Sequence, residues 1–541
     1  MVEQQYPGRD MRARRPKGLV AACAAACALT LVTATAVPST ANAAPDMLSV
    51  MQDDNLLVYG SGTQRDAALD AMKALGVDAI RATVLWQAIA PDRKPRRNPA
   101  SPRAYHHDKW NRYDDLVKAA TKRGIRVYFS VTGPGPKWAH AKTRSKANQR
   151  TWKPSAKEFG RFMRALGTRY SGKYKDEDGD KKALPRVDWW GIFNEPNQGG
   201  WLTPQTQKVG GRRTPMSPVV YRDLLYEGAK ALWATGHRND IVLIGETAPL
   251  GRDPKDERSP LRPALFIREL FCLDKRLRRY RGKAAKVRNC SRVGRLSILR
   301  KFKNAGYGHH PYTKELPPDR RDKHRDAITM ANLKDLESLL DKVAAKTRVI
   351  KKGMPVYLTE FGYETNPPDP FNGIPIEKHA AWLNLGDYLA YRAKRVKSNT
   401  QFQLVDVPPR FEFKPSSRQY WFTYQSGLFT WDEGGNFTAK PAAAAYQLPL
   451  VARDAGNGKY LFWGQARVAP RGKPTQVYLQ LKDGFGNWTT QSTIPVNGPK
   501  DKHKMGFWSL EGIALPGQVW RAVWVSADGS RTVVSREVTL D

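Results

Sequence analysis

From residue 46 to about residue 452, short apolar runs alternate with segments of helical period. Residues 77–86 (VDAIRATVLW), 124–131 (GIRVYFSV) and 356–361 (VYLTEF) are short and apolar almost throughout. They read as strands buried on both faces. Residues 155–170 instead bring Phe159, Phe162, Met163, Leu166 and Tyr170 onto one helical face. Extended along the chain, the pattern predicts eight strands, at 48–59, 77–86, 124–131, 187–193, 241–245, 305–312, 356–361 and 401–407. Helices are expected over 67–75, 113–123, 155–170, 221–235, 333–345, 378–395 and 442–451. Repeated strand–helix units of this kind point to an α/β fold, a (β/α)8 TIM barrel. The rival, a doubly wound open sheet, should show a Gly-rich phosphate loop early in the chain, and none is present.

Past residue 456 the helical period stops. Short β-rich runs at 460–463, 475–482, 488–496, 505–510, 518–526 and 531–540 are separated by turn residues. They predict a small all-β, immunoglobulin-like sandwich. The expected organisation is therefore a signal peptide over 1–43, a barrel over 44–455 and a sandwich over 456–541. In the last unit Trp520 and Trp524 alternate onto one face, which is expected to be core. Trp463 and Trp508 join them as candidates for either packing or glycan contact.

The first 43 residues have the make-up of a secretory signal. Arg9, Arg12, Arg14, Arg15 and Lys17 precede an alanine-rich apolar stretch, and Ala41-Asn42-Ala43 forms a small-residue cleavage site. Export is expected, with no stable membrane insertion after cleavage. Cys23 and Cys27 leave with the signal. Cys272 and Cys290 remain, and two cysteines 18 apart in an exported chain are expected to form a disulfide closing a surface loop.

Net charge is +39 over 541 residues. The signal region carries five basic and two acidic side chains, which leaves +36 on the rest. The charge is densest over residues 275–301, with twelve Lys or Arg and no Asp or Glu. No nucleic-acid recognition motif accompanies it. Two readings stay open: a surface that holds an acidic or cell-surface glycan, or a solvated basic loop. Residues 251–304 leave a strand at its C-terminal end, so this insertion is expected to overhang the open face of the barrel.

Two predicted strands end abruptly in glutamate: Trp189-Trp190-Gly191-Ile192-Phe193-Asn194-Glu195-Pro196-Asn197, and Pro355-Val356-Tyr357-Leu358-Thr359-Glu360-Phe361-Gly362-Tyr363. A buried barrel strand that delivers a carboxylate to the mouth looks like this. Paired carboxylates are also the equipment for glycosidic cleavage with retention. The Asn-Glu-Pro triplet, with Thr-Glu-Phe-Gly three strand–helix units later, resembles the clan-A glycoside hydrolases, which include cellulase-like, xylosidase-like and arabinofuranosidase-like families. That resemblance covers residues 46–452. It implies that Glu195 is the general acid/base and Glu360 the nucleophile. It also implies that Asn194 bonds the sugar 2-hydroxyl, that Arg81 in IRATVLW holds the nucleophile ionised, and that His310 and Tyr312 of His310-Pro311-Tyr312 support it. The acid role requires Glu195 to keep its proton at a higher pH than Glu360.

Sugars offer flat apolar faces, so an aromatic platform is expected in the cleft. Trp138, after the third strand, is the first choice, followed by Trp86, Trp110, Trp201, Trp421 and Trp431. Gln52, Asp53 and Asp406 are further candidates for hydroxyl contacts. Residues 176–180 look like a calcium loop but lack the distal Glu, and no cofactor or metal is called for. The expected activity is a secreted, monomeric retaining glycoside hydrolase acting on a polysaccharide or glycoside. The alternatives are a barrel that binds envelope glycans without cleaving them, and a transglycosidase.

Overall fold

The computed structural model describes residues 43–96, 98–178, 181–432 and 437–541. All but the last residue of the expected signal segment lie outside these. Eight parallel strands close into a barrel: β1 (Leu48–Gln52), β2 (Ala79–Leu85), β3 (Arg126–Thr132), β4 (Trp189–Ile192), β5 (Ile241–Thr247), β6 (Asn304–His309), β7 (Val356–Phe361) and β8 (Val396–Phe402). Each pairs with its sequence neighbour, and β8 returns to β1. The lower interior is filled by Val50, Ala79, Tyr128, Trp189, Leu243 and Tyr357. This is a packed floor, so chemistry is confined to the C-terminal rim above it.

Two expected strands shift, for identifiable reasons. The first ends at Gln52 because Asp53 turns the chain, its side chain accepting from Leu56 N at the start of a short helix, Asp54–Leu57. The last lies at Val396–Phe402, five residues before the expected start. Its centre, Ser398-Asn399-Thr400-Gln401, is polar yet buried, and a reading based on apolar runs passes over it. The final helix, Pro441–Gln447, also stops short of the expected 451, and Leu450–Gly456 is already a strand.

The C-terminal strands form two antiparallel sheets, one of three strands and one of five. Trp520 and Trp524 are buried between them with Trp508, Phe462 and Leu510. Trp463 packs instead against Tyr388 and Tyr391 of the helix Ile376–Tyr391 on the barrel, with ring centroids 5.4 and 5.3 Å apart. Buried Arg467 donates to Asp387 at 3.0 Å, and Arg471 pairs with Asp78 at 2.8 Å. The sandwich is thus fastened to the barrel wall by aromatic and ionic contacts. No helix among the described residues is long and apolar enough to cross a membrane.

The insertion does not overhang the mouth as a whole. Leu250 lines the rim cavity, and Leu261 N donates to Asn197 O at 2.9 Å, so the first dozen residues stay near the open face. The basic stretch descends the outside of the barrel. Arg279 donates to Lys346 O at 2.7 Å, and Lys301 lies 5.8 Å from the ring of Trp233. Both partners end helices that run antiparallel to the strands, Leu333–Thr347 and Ser217–Ala234. The basic segment therefore reaches the pole opposite the mouth. Arg222 captures it from beneath, donating to the carbonyls of Glu269, Leu270 and Arg288. Cys272 and Cys290 are disulfide-bonded.

Candidate active site

Glu360 is the penultimate residue of β7, and its side chain rises from the barrel interior. Oε1 accepts from Arg81 Nη1 at 2.7 Å, and Oε2 from the Tyr312 hydroxyl at 3.1 Å. Burial is the largest influence on Glu360 and pushes its carboxyl up from the ordinary value. The charges of His310 and Arg81 and the Tyr312 hydrogen bond pull it down, while Glu195 adds to the rise. Arg81 acts in the anticipated direction, lowering the Glu360 carboxyl against the larger upward push of burial.

Glu195 follows β4 in a turn where Phe193 and Glu195 both take left-handed backbone, φ 76° and 38°. Non-glycine residues pay strain there, and such outliers gather at sites where a side chain must be aimed. Glu195 N donates to Glu246 O at 3.0 Å, which holds the turn. His310 Nδ1 lies 2.9 Å from Glu195 Oε1 and 3.4 Å from Glu360 Oε2. One oxygen of each carboxylate and one His310 ring nitrogen all fall within 4.8 Å of one another. Groups this close are also spaced as metal ligands, and the Glu360 oxygens among them already accept from Arg81 and Tyr312. The two glutamates keep 19% and 12% side-chain exposure, so both can be reached from outside.

Arg81 is wholly buried on β2 and gathers the site. Its guanidinium donates to Glu360, to Asn194 Oδ1 at 2.6 Å, to Ser130 Oγ at 3.0 Å, to Glu246 Oε2 at 2.7 Å and to Gln52. Its own pKa is raised, since the charges of Glu360 and Glu246 offset its burial. With the Asn194 oxygen taken, the amide NH2 is the group left for a sugar hydroxyl. Neighbouring His309 is a structural residue. Its ring lies 3.0 Å from both Thr247 Oγ1 and Ile328 O, and burial drops its pKa to about 3.

Above the carboxylates lies a cavity of about 470 Å³ walled by Glu195, Tyr312, Glu364, Trp421, Phe422 and Tyr424 among others. Trp138 does not line it. Its indole donates to Pro91 O at 2.9 Å and its ring stands edge-on to Trp86, 6.3 Å away. Trp86 and Trp110 are buried in the core beside Phe162. The aromatic surface comes instead from the loop after β8, where Phe422 is 79% exposed and Tyr424 54%. Trp421 was a secondary candidate, and the run Tyr420-Trp421-Phe422-Thr423-Tyr424 was the signal that could have identified its neighbours. The hydroxyl-contact candidates are otherwise engaged. Gln52 accepts from Arg81, Asp53 accepts from Leu56, Leu404 and Val405 N, and Asp406 pairs with buried Lys440 at 2.7 Å. Glu246 and Glu364 were not anticipated.

The family model for cellulase, glycosyl hydrolase family 5, matches residues 49–395. The chain belongs to glycosyl hydrolase family 5. It is a retaining glycosidase, and the clan-A resemblance read from its two glutamate segments holds. No curated protein sequence matches this family 5 chain. Similar solved structures include GH5_18 of Streptomyces cattleya in complex with GlcNAc, at 17% identity and TM-score 0.45, covering 75% of this chain and 79% of that one. The hyperthermophilic β-glucosidase of Pyrococcus furiosus is similar at 14% identity and TM-score 0.44, covering 76% and 95%. Fpglu1 of Fervidobacterium pennivoraus is similar at 12% and 0.45, covering 75% and 95%.

Proposed function

We propose that this family 5 glycosidase is exported and cleaves a polysaccharide or glycoside with Glu360 as nucleophile and Glu195 as acid/base. The observation that carries the assignment is the approach of the two carboxylates to within 4.8 Å. A retaining pair stands roughly 5–5.5 Å apart, whereas an inverting pair leaves room for a water.

In the first step a Glu360 oxygen bonds the anomeric carbon as the glycosidic C–O bond breaks, and the Glu195 proton passes to the leaving oxygen. In the second, Glu195 takes a proton from water, the water oxygen bonds the anomeric carbon, and the ester to Glu360 breaks. Arg81 and Tyr312 hold the Glu360 carboxylate before attack and receive it as it departs. His310 sits between the two acids and orients Glu195. Asn194, its oxygen anchored on Arg81, faces the sugar 2-hydroxyl, and the exposed aromatics after β8 take the apolar sugar face. Export rests on the composition of the first 43 residues.

A 2-deoxy-2-fluoro glycoside with a good leaving group tests the assignment. It should label the peptide carrying Glu360, and NMR of products from a neutral and acidic glycan panel should show the retained anomer first. Labelling of another residue would remove Glu360 from its role.

A further inference from the structure

Glu246, near the C-terminal end of β5, is wholly buried and lies on the far side of Arg81 from Glu360. Its Oε2 accepts from Arg81 Nη2 and Ser130 Oγ, each at 2.7 Å, and its Oε1 accepts from the Tyr128 hydroxyl. Three donors on one carboxylate satisfy a buried anion.

The barrel is shaped to admit this side chain. A Cβ at Gly191 on β4 would stand 1.7 Å from Glu246 Oε1, and one at Gly308 on β6 would stand 2.7 Å from its Cγ. Glycine inside a strand forfeits packing and order, so its presence on both flanking strands marks a place that another group must enter. Gly245 and Glu246 both take left-handed backbone, φ 93° and 41°. Glu246 O also anchors the Glu195 turn. Two glycines, a strained residue and three donors converge on a carboxylate that is closed off from solvent.

We propose that Glu246 is a positioning residue that divides the charge of Arg81 between two carboxylates and thereby sets how firmly Glu360 is held as an anion. One guanidinium arm serves Glu360 and the other serves Glu246. A carboxylate given a whole cation beside it is easily ionised but a poorer nucleophile, while one sharing that cation keeps more of its basicity. The other groups facing Glu360 are His310 and Tyr312 after β6, Glu195 after β4 and Tyr424 after β8. None of their side chains bonds the Glu246 carboxylate, so that carboxylate acts on Glu360 through Arg81 and through its own charge; the Glu246 backbone carbonyl, which Glu195 N bonds, is unchanged by a side-chain substitution. The inference rests on Glu360 being the nucleophile.

Two substitutions in the full-length enzyme push in opposite directions. Glu246→Gln keeps the shape and removes the charge. The acid limb of kcat/KM should move down by about one pH unit, with a loss of at least about tenfold in the glycosylation rate. Tyr128→Phe keeps the ring and removes a donor from Glu246, which concentrates charge on the oxygens facing Arg81. The acid limb should then move up by a few tenths of a pH unit. A merely structural Glu246 would lower activity in both variants without moving the limb, and that result, or shifts of the same sign, overturns the proposal. If Glu246→Gln does not fold, an unmoved limb in Tyr128→Phe decides against it. Fluorosugar labelling of the wild type separates the two failures: label on Glu360 with an unmoved limb rejects Glu246 alone, and no label on Glu360 rejects the nucleophile assignment.

Discussion

Glu364 offers a sharp test of the electrostatics of the cavity. It follows β7 in the cavity wall, with Oε2 buried and unpartnered and Asp369 beside it. Burial and Asp369 push its carboxyl up to about 8 from 4.5. A carboxyl whose native pKa is raised binds more protons folded than unfolded across that interval. Its contribution is therefore fully present below about pH 4.5 and is lost as pH rises through about 8. At 1.36 kcal/mol per unit the ceiling is about 5 kcal/mol, and water entering the cavity lowers this to a few kcal/mol. Glu364→Gln keeps a donor toward Asp369 and cannot ionise. The measurement is urea unfolding of both proteins at pH 5, 7 and 9. Asp53, wholly buried and raised to about 7, tilts both curves alike and cancels in the difference. The variant should match the wild type at pH 5 and exceed it by a few kcal/mol at pH 9. A stability difference that stays constant from pH 5 to 9 would refute the reasoning.

Other outcomes follow from the same contacts. Lys440, buried between Asp406, Thr365 and the Gln425 carbonyl, ties the loops after β7 and β8 together. Lys440→Met should cost about 3–5 kcal/mol by denaturant titration, and a companion Asp406→Asn should recover part of it. Replacing Cys272 and Cys290 with serine opens a loop spanning 18 positions and should cost about 3 kcal/mol under non-reducing conditions. Phe422→Ala should raise KM several-fold with little change in kcat, because an exposed ring at the rim contributes to binding rather than to bond breaking. In Glu195→Ala, aryl glycosides with very good leaving groups should keep fast first-step chemistry, while Glu360→Ala should lose it for every substrate; stopped-flow release of the aryl group distinguishes the two.

The barrel was legible because its strands are short apolar runs between amphipathic helices, and β7 was located residue for residue. β8 was misplaced because a strand of Ser, Asn, Thr and Gln gives no hydrophobic signal, although its side chains are buried against polar partners such as Asp387. Glu195, Glu360, Arg81, His310, Tyr312 and Asn194 were readable from two motifs and a resemblance, and the fold gathers them within hydrogen-bond reach. Trp138 was not, because an indole in a loop near the mouth has the same sequence signature whether it faces a sugar or pins Pro91. Glu246 was missed for a different reason. It sits in IVLIGET, one residue past the expected end of the fifth strand at 245, and its cue lay elsewhere, in Gly191 and Gly308 on the two adjacent strands.

The basic stretch that runs down the outer wall has a consequence for how the enzyme can work at a charged boundary. Its cations lie behind the barrel, so a polyanion gripping that side leaves the opening unobstructed. Any adhesion through that stretch would then occupy a different hemisphere of the molecule from turnover. If the stretch holds an anionic matrix, raising ionic strength should detach the protein from it while its rate on a small dissolved glycoside barely changes; no retention on the matrix at low salt would leave the stretch a solvated basic surface.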